Sequence, residues 1–129
     1  MTGTIQLILD NFAEADAELQ SALAEFEALA DLSGMAGSAV RLGDLRVRQN
    51  DYDSAEKLFA TAREIYMRTG DRNGLAICHS SLGGLRRKQG RLQEAMENYS
   101  IAEEILTAIG NQKAASKSRE LMARLRNSQ

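Results

Sequence analysis

Residues 42–55 read LGDLRVRQNDYDSA, and residues 82–95 read LGGLRRKQGRLQEA. The stretches stand 40 residues apart and share Leu, Gly, Leu and Ala at the same places. The same shift puts Phe59 on Tyr99, Ala62 on Ala102, Ile65 on Ile105 and Gly70 on Gly110. One unit earlier it puts Phe12 on Tyr52, Ala15 on Ala55, Leu19 on Phe59, Ala22 on Ala62, Phe26 on Tyr66 and Gly34 on Gly74. Near the end, Met122, Ala123 and Leu125 take the places of Leu82, Gly83 and Leu85. A period kept without a gap marks an internal repeat, whose units bury their apolar faces against neighbouring units.

Each unit carries two helical patterns. Ala55, Leu58, Phe59, Ala62, Ile65 and Tyr66 follow the three-to-four spacing of one helix face. Asp53-Ser54-Ala55-Glu56 has the form of a capping box at its start. Gly70 and Gly110 suit a left-handed C-terminal residue, and Asn50 and Gly90 hold such a place between paired helices. Gly43 and Gly83 allow close backbone approach. The pattern predicts a short helix at about 3–9, then helices near 11–30, 35–49, 53–68, 75–89, 92–108 and 112–127, with ends good to roughly 2–4 residues.

The motif Leu42-Gly43, Asn50, Tyr52, Ala55, Phe59, Ala62 resembles the tetratricopeptide repeat (TPR), and Leu82-Gly83, Gly90, Leu92, Ala95, Tyr99, Ala102 repeats it. Gly3, Phe12, Ala15, Leu19 and Ala22 are a fainter copy. The usual repeat is about 34 residues. The longer unit and the Gly-Asp-Arg-x-Gly link at 70–74 resemble the long-repeat subclass of kinesin light chains and spindle-orientation scaffolds. The resemblance implies an all-α fold, a right-handed superhelical solenoid of antiparallel helix pairs. It would hold a partial first repeat at 1–34, repeats at 35–74 and 75–114, and a C-terminal capping helix at 112–127.

The resemblance also implies a non-catalytic module that binds a protein or peptide along a concave groove lined by the first helix of each pair. Carried over, the groove positions are Gly37, Val40, Arg41, Asp44, Val47 and Arg48; then Ile77, Ser80, Ser81, Gly84, Arg87 and Lys88; then Lys117, Glu120, Leu121 and Arg124. Val40, Arg41, Asp44, Arg48, Ser80, Gly84, Arg87, Lys88 and Arg124 are the chosen partner contacts. Asp44 and Gly84 stand where long-repeat relatives often carry an Asn. Val40, Asp44 and Ser81 do not reproduce the two-carboxylate clamp of chaperone-binding repeats. The cations predict an acidic partner, because arginine grips carboxylates through two parallel hydrogen bonds.

Charge gives a second expectation. Residues 1–40 hold seven acidic residues and no basic one, whereas residues 41–129 hold all 16 basic residues against 11 acidic ones. Such asymmetry orients association, so the acidic end of one copy meeting the basic end of another is the alternative function, an assembly or regulatory element. Ile5, Leu7, Ile8 and Leu9 supply apolar surface for such self-association.

Other classes find little support. RRKQGR at 86–91 lacks the stacking aromatics of single-strand binders, so no nucleic acid is expected. No apolar run approaches the ~20 residues that span a bilayer, so no membrane is expected. Cys78 is the only cysteine, which is compatible with a reducing, cytoplasmic setting. Cys78 and His79 point about 100° apart on a helix, and no second His exists, so no metal is expected. The adjacent Glu103-Glu104 reads as solvated surface. With no phosphate loop or nucleophilic triad, neither a cofactor nor an enzyme is expected.

Overall fold

Every twentieth residue from Ala30 to Gly110 turns the chain. Ala30, Asn50, Gly70, Gly90 and Gly110 have φ of 54°, 61°, 76°, 76° and 83° in a computed structural model. This structure describes residues 2–128, and side chains from residue 11 onward. At each turn the next residue's N–H reaches back to the last helical turn, as in Asp51 N–H to Arg46 O at 2.8 Å and Arg91 N–H to Arg86 O at 2.8 Å. This arrangement satisfies carbonyls that a helix end leaves free.

The turn also prepares the next helix. Asp31, Asp51, Asp71 and Asn111 each accept, through the side chain, the N–H of the third residue on. The resulting helices are α1 (Thr2–Ala28), α2 (Leu32–Arg48), α3 (Tyr52–Thr69), α4 (Arg72–Lys88), α5 (Leu92–Ala108) and α6 (Gln112–Asn127). Consecutive helices pack together, and α2 also touches α4, which gives an all-α helical repeat solenoid.

Three local expectations are corrected. The short helix at 3–9 does not stand alone, because no Gly or Pro interrupts residues 4–28 and one helix runs through. The helix after Asn50 is capped by Asp51, not Asp53: the left-handed turn ends at Asn50, so Asp51 is the first side chain placed to cap. Glu56, released from a capping box, pairs with Arg86 instead. Helices α2 and α4 begin about three residues early for the same reason, at the Asp31 and Asp71 caps. Ile5, Leu7, Ile8 and Leu9 lie outside the residues whose side chains are described.

Within pairs, Gly43 lies under Phe59 and Gly83 under Tyr99; a Cβ would stand 2.5 and 2.6 Å from the ring atoms. Between pairs, Phe26 covers Gly34 and Tyr66 covers Gly74. Phe59, Ala55, Ala62, Leu85 and Cys78 are fully buried. In α1 the corresponding Ala15, Leu19, Ala22 and Phe26 are only half-buried, since among the described residues α1 packs mainly on α2.

A second link joins successive units. Arg46 donates to both carboxylate oxygens of Asp16, at 2.7 and 3.0 Å, and to Gln49 Oε1 at 2.8 Å. One unit later Arg86 donates to both oxygens of Glu56, at 2.6 Å each, and to Gln89 Oε1 at 3.0 Å. These bonds hold the Asp16 and Glu56 carboxyls below their usual range.

Candidate functional site

The inner surfaces of α2, α4 and α6 form one open groove of about 560 Å3. Val47, Ile77, Ala114 and Leu121 give it an apolar floor, with Leu85 and Leu106 buried beneath. Arg48, Arg87, Lys88 and Lys117 stand around that floor, with Asp44 as the one carboxylate among the lining residues. Asn73, Ser80, Ser81, Asn111 and Ser118 add amide and hydroxyl groups.

Helix geometry explains the lining. In α4, Ile77, Ser80, Ser81, Gly84, Arg87 and Lys88 recur every three or four residues, so they share a stripe. The opposite stripe, with Ala76, His79 and Gly83, faces α5. Ile77 is 46% exposed, so it presents apolar surface to the groove.

Of the chosen contacts, Asp44, Arg48, Ser80, Gly84, Arg87 and Lys88 come together in the groove. Val40 does not: it is 5% exposed and belongs to the core around Phe59 and Ala39. This corrects its placement as a contact; the turn of α2 there points inward. Arg41 and Arg124 are exposed but do not line the groove. Gly37 and Glu120 are also outside it, whereas Val47, Ile77, Ser81, Lys117 and Leu121 line it.

The carried-over groove positions leave out Asn73, Asn111, Ala114, Ser118, Leu85 and Leu106, because they follow only one stripe of each first helix. Asn73 and Asn111 enter from the starts of α4 and α6, and Leu106 reaches through from α5. The available signal was period: Asn111 stands at the cap position of Asp71.

Among the described residues four basic side chains, Arg46, Arg86, Arg91 and Arg119, form ion pairs. The other twelve, inside and outside the groove, form none, Arg48, Arg87, Lys88 and Lys117 among them. Burial pushes the Asp44 carboxyl above its usual range, partly offset by the nearby Ser81 hydroxyl and Arg48.

Cys78 and His79 diverge. Cys78 is buried in the core of α2, α3 and α4, and burial, with Asp44 nearby, pushes its thiol up to about 12. That keeps it a protonated, unreactive thiol. His79 turns toward α5, where its Nδ1 donates to Asn98 Oδ1 at 3.1 Å, while Asn98 Nδ2 donates to Glu94 O. Among the described residues no group of three or more His, Cys, Asp or Glu could hold a metal ion. No helix among them is long and apolar enough to cross a membrane.

A search of curated proteins finds no match. A family model described as tetratricopeptide repeat matches residues 34–108, more than half of the chain and nearly all of α2 to α5. With paired helices, glycines under aromatic rings and a shared inner groove already in place, this match is decisive: the chain belongs to the tetratricopeptide repeat family.

Proposed function

We propose that the groove captures an acidic segment, extended or helical, of a partner protein. Tetratricopeptide repeats generally mediate protein–protein interactions and are generally non-catalytic. The 40-residue spacing supports the longer-repeat kind within that family. One observation carries the charge of the partner. Four cations, Arg48, Arg87, Lys88 and Lys117, line the groove against a single carboxylate, Asp44. A carboxylate ligand supplies the missing counter-charges, and the apolar floor beneath accepts the segment's apolar side chains. Rigid helices spare the groove much ordering on binding, so the cost falls mainly on the partner.

The test is fluorescence anisotropy with labelled acidic, neutral and basic peptides of equal length. Acidic peptides bind most tightly, and salt weakens them most. Arg87→Glu with Lys88→Glu removes that preference with an unchanged circular dichroism spectrum, and Asp44→Asn strengthens it. Equal binding of acidic and neutral peptides overturns the reading, as does unchanged binding by the double reversal.

A further inference from the structure

We propose that copies of this chain associate head to tail, with α6 of one docking on α1 of the next in the register of the internal helix pairs. Helix α6 occupies the place of α2 and α4 in the period, and α1 occupies the place of α3 and α5. Each therefore carries one half of a pair interface. On α6 that half is Ser116, Arg119, Ala123 and Arg126, all exposed. On α1 it is Glu14, Glu18, Leu19 and Ala22; both glutamates are exposed and both apolar residues half-buried.

The α4–α5 pair shows which of these residues would meet. Gly83 lies under the Tyr99 ring, His79 bonds Asn98 at 3.1 Å, and Arg86 Nε stands 3.4 Å from Glu94. Moving one period of 40 along α4 turns Gly83, His79 and Arg86 into Ala123, Arg119 and Arg126. Moving back two periods along α5 turns Tyr99, Asn98 and Glu94 into Leu19, Glu18 and Glu14. All three contacts are then complementary. A Gly under a large ring becomes Ala under the smaller Leu, which keeps the combined volume similar. The other two become Arg119 with Glu18 and Arg126 with Glu14, opposite charges in both cases.

The local charges fit this occupant. Met96 stands where Glu56 would be one unit earlier, so the bidentate partner that Arg86 has is not repeated for Arg126, and Glu97, which lines the same pocket, forms no ion pair with it. Among the described residues Arg126, Glu14 and Glu18 form no ion pair. Arg119 already bonds Glu103 at 3.1 Å on its own chain and would share itself with Glu18 of the next copy. Residues 11–28 hold five acidic and no basic residues, whereas α6 holds five basic residues and one acidic. The groove is not consumed, because Lys117, Ser118 and Leu121 lie on another face of α6.

A head-to-tail contact uses a different surface on each of the two copies, so it builds rings where the rotation closes and open chains where it does not. The experiment is sedimentation velocity of the whole chain from micromolar to millimolar concentration, at low and high salt. The expected result is mass that grows with concentration and falls with salt. Arg126→Glu and Glu14→Arg each weaken association at least about tenfold, by setting like charges together. Mixing these two variants restores it, since the reversed charge of one then faces the reversed charge of the other and the pair is again opposite in sign. Circular dichroism confirms that both stay folded. The Arg87→Glu, Lys88→Glu chain associates like the original, which separates this surface from the groove. A chain monomeric throughout, a mixture that fails to recover, or loss of association in the groove variant overturns the proposal.

Discussion

Between the α2–α3 pair and the α4–α5 pair, the contacts that hold helices together are repeated, whereas the residues facing the groove are replaced. Gly43 under Phe59 becomes Gly83 under Tyr99, and Arg46 with Gln49 becomes Arg86 with Gln89. Asp44 becomes Gly84, and Val47-Arg48 becomes Arg87-Lys88. Packing tolerates little change because ring and backbone nearly touch. The groove faces solvent, so its chemistry varies without disturbing the stack.

The strongest way to break this contrast is at two adjacent glycines. Gly83→Ala puts a methyl 2.6 Å from the ring of Tyr99, which is only 2% exposed and has nowhere to move. A loss of about 1–3 kcal/mol is expected in urea denaturation. Gly84→Ala meets only the Tyr99 hydroxyl at 3.9 Å. It gains roughly 0.5–1 kcal/mol from helix propensity. Equal effects at the two sites would remove the distinction between packing and groove positions.

A smaller effect is expected at the repeated ion pair. Arg46→Gln and Arg86→Gln each lose about 1 kcal/mol at neutral pH, the range for a bidentate pair still partly open to water. Arg86 gives the larger loss because it also reaches Glu94 at 3.4 Å. The carboxyls of Asp16 and Glu56 are held low by these arginines. Their contribution is therefore present above the ordinary carboxylate range and is lost as pH falls through the lowered folded values. Urea midpoints measured from neutral pH down to about 3 should fall more steeply for the original chain than for either variant.

The smallest effect belongs to the turns. Ala30 holds φ of 54°, where Gly70 and Gly110 hold the equivalent place two helices and four helices later. Ala30→Gly is expected to stabilise by about 0.5–1 kcal/mol, since a Cβ is strained in this region. Asn50→Gly gains less, because Asn tolerates it better. Thermal melts of both variants rank the two positions.

The sequence made the helix pairs legible because the 40-residue period registers Leu-Gly, the aromatics and the small residues at once. It hid Ala30, since only Gly and Asn announce a left-handed turn. It hid the continuity of α1, because the divided reading followed a faint copy of Gly3 onto Gly43. The 30-residue separation of Asp16 from Arg46 and of Glu56 from Arg86 matches no single-helix spacing. Shifting the chain by one period would have revealed it, as both partners move together. Much of the groove was legible from one stripe per first helix. Val40 strayed from it because a one-residue error on a helix rotates a side chain by about 100°.

The half-buried face of α1 also bears on how the molecule comes apart. Among the described residues the main helix contacts join immediate neighbours, with a smaller one between α2 and α4. In such a stack stability is close to a sum of each layer's own stability and its contacts with its neighbours. None of residues 11–28 is fully buried, whereas α2 to α5 each carry at least four buried side chains. Opening therefore starts at α1, and its amide protons exchange with solvent before those of α3 and α4.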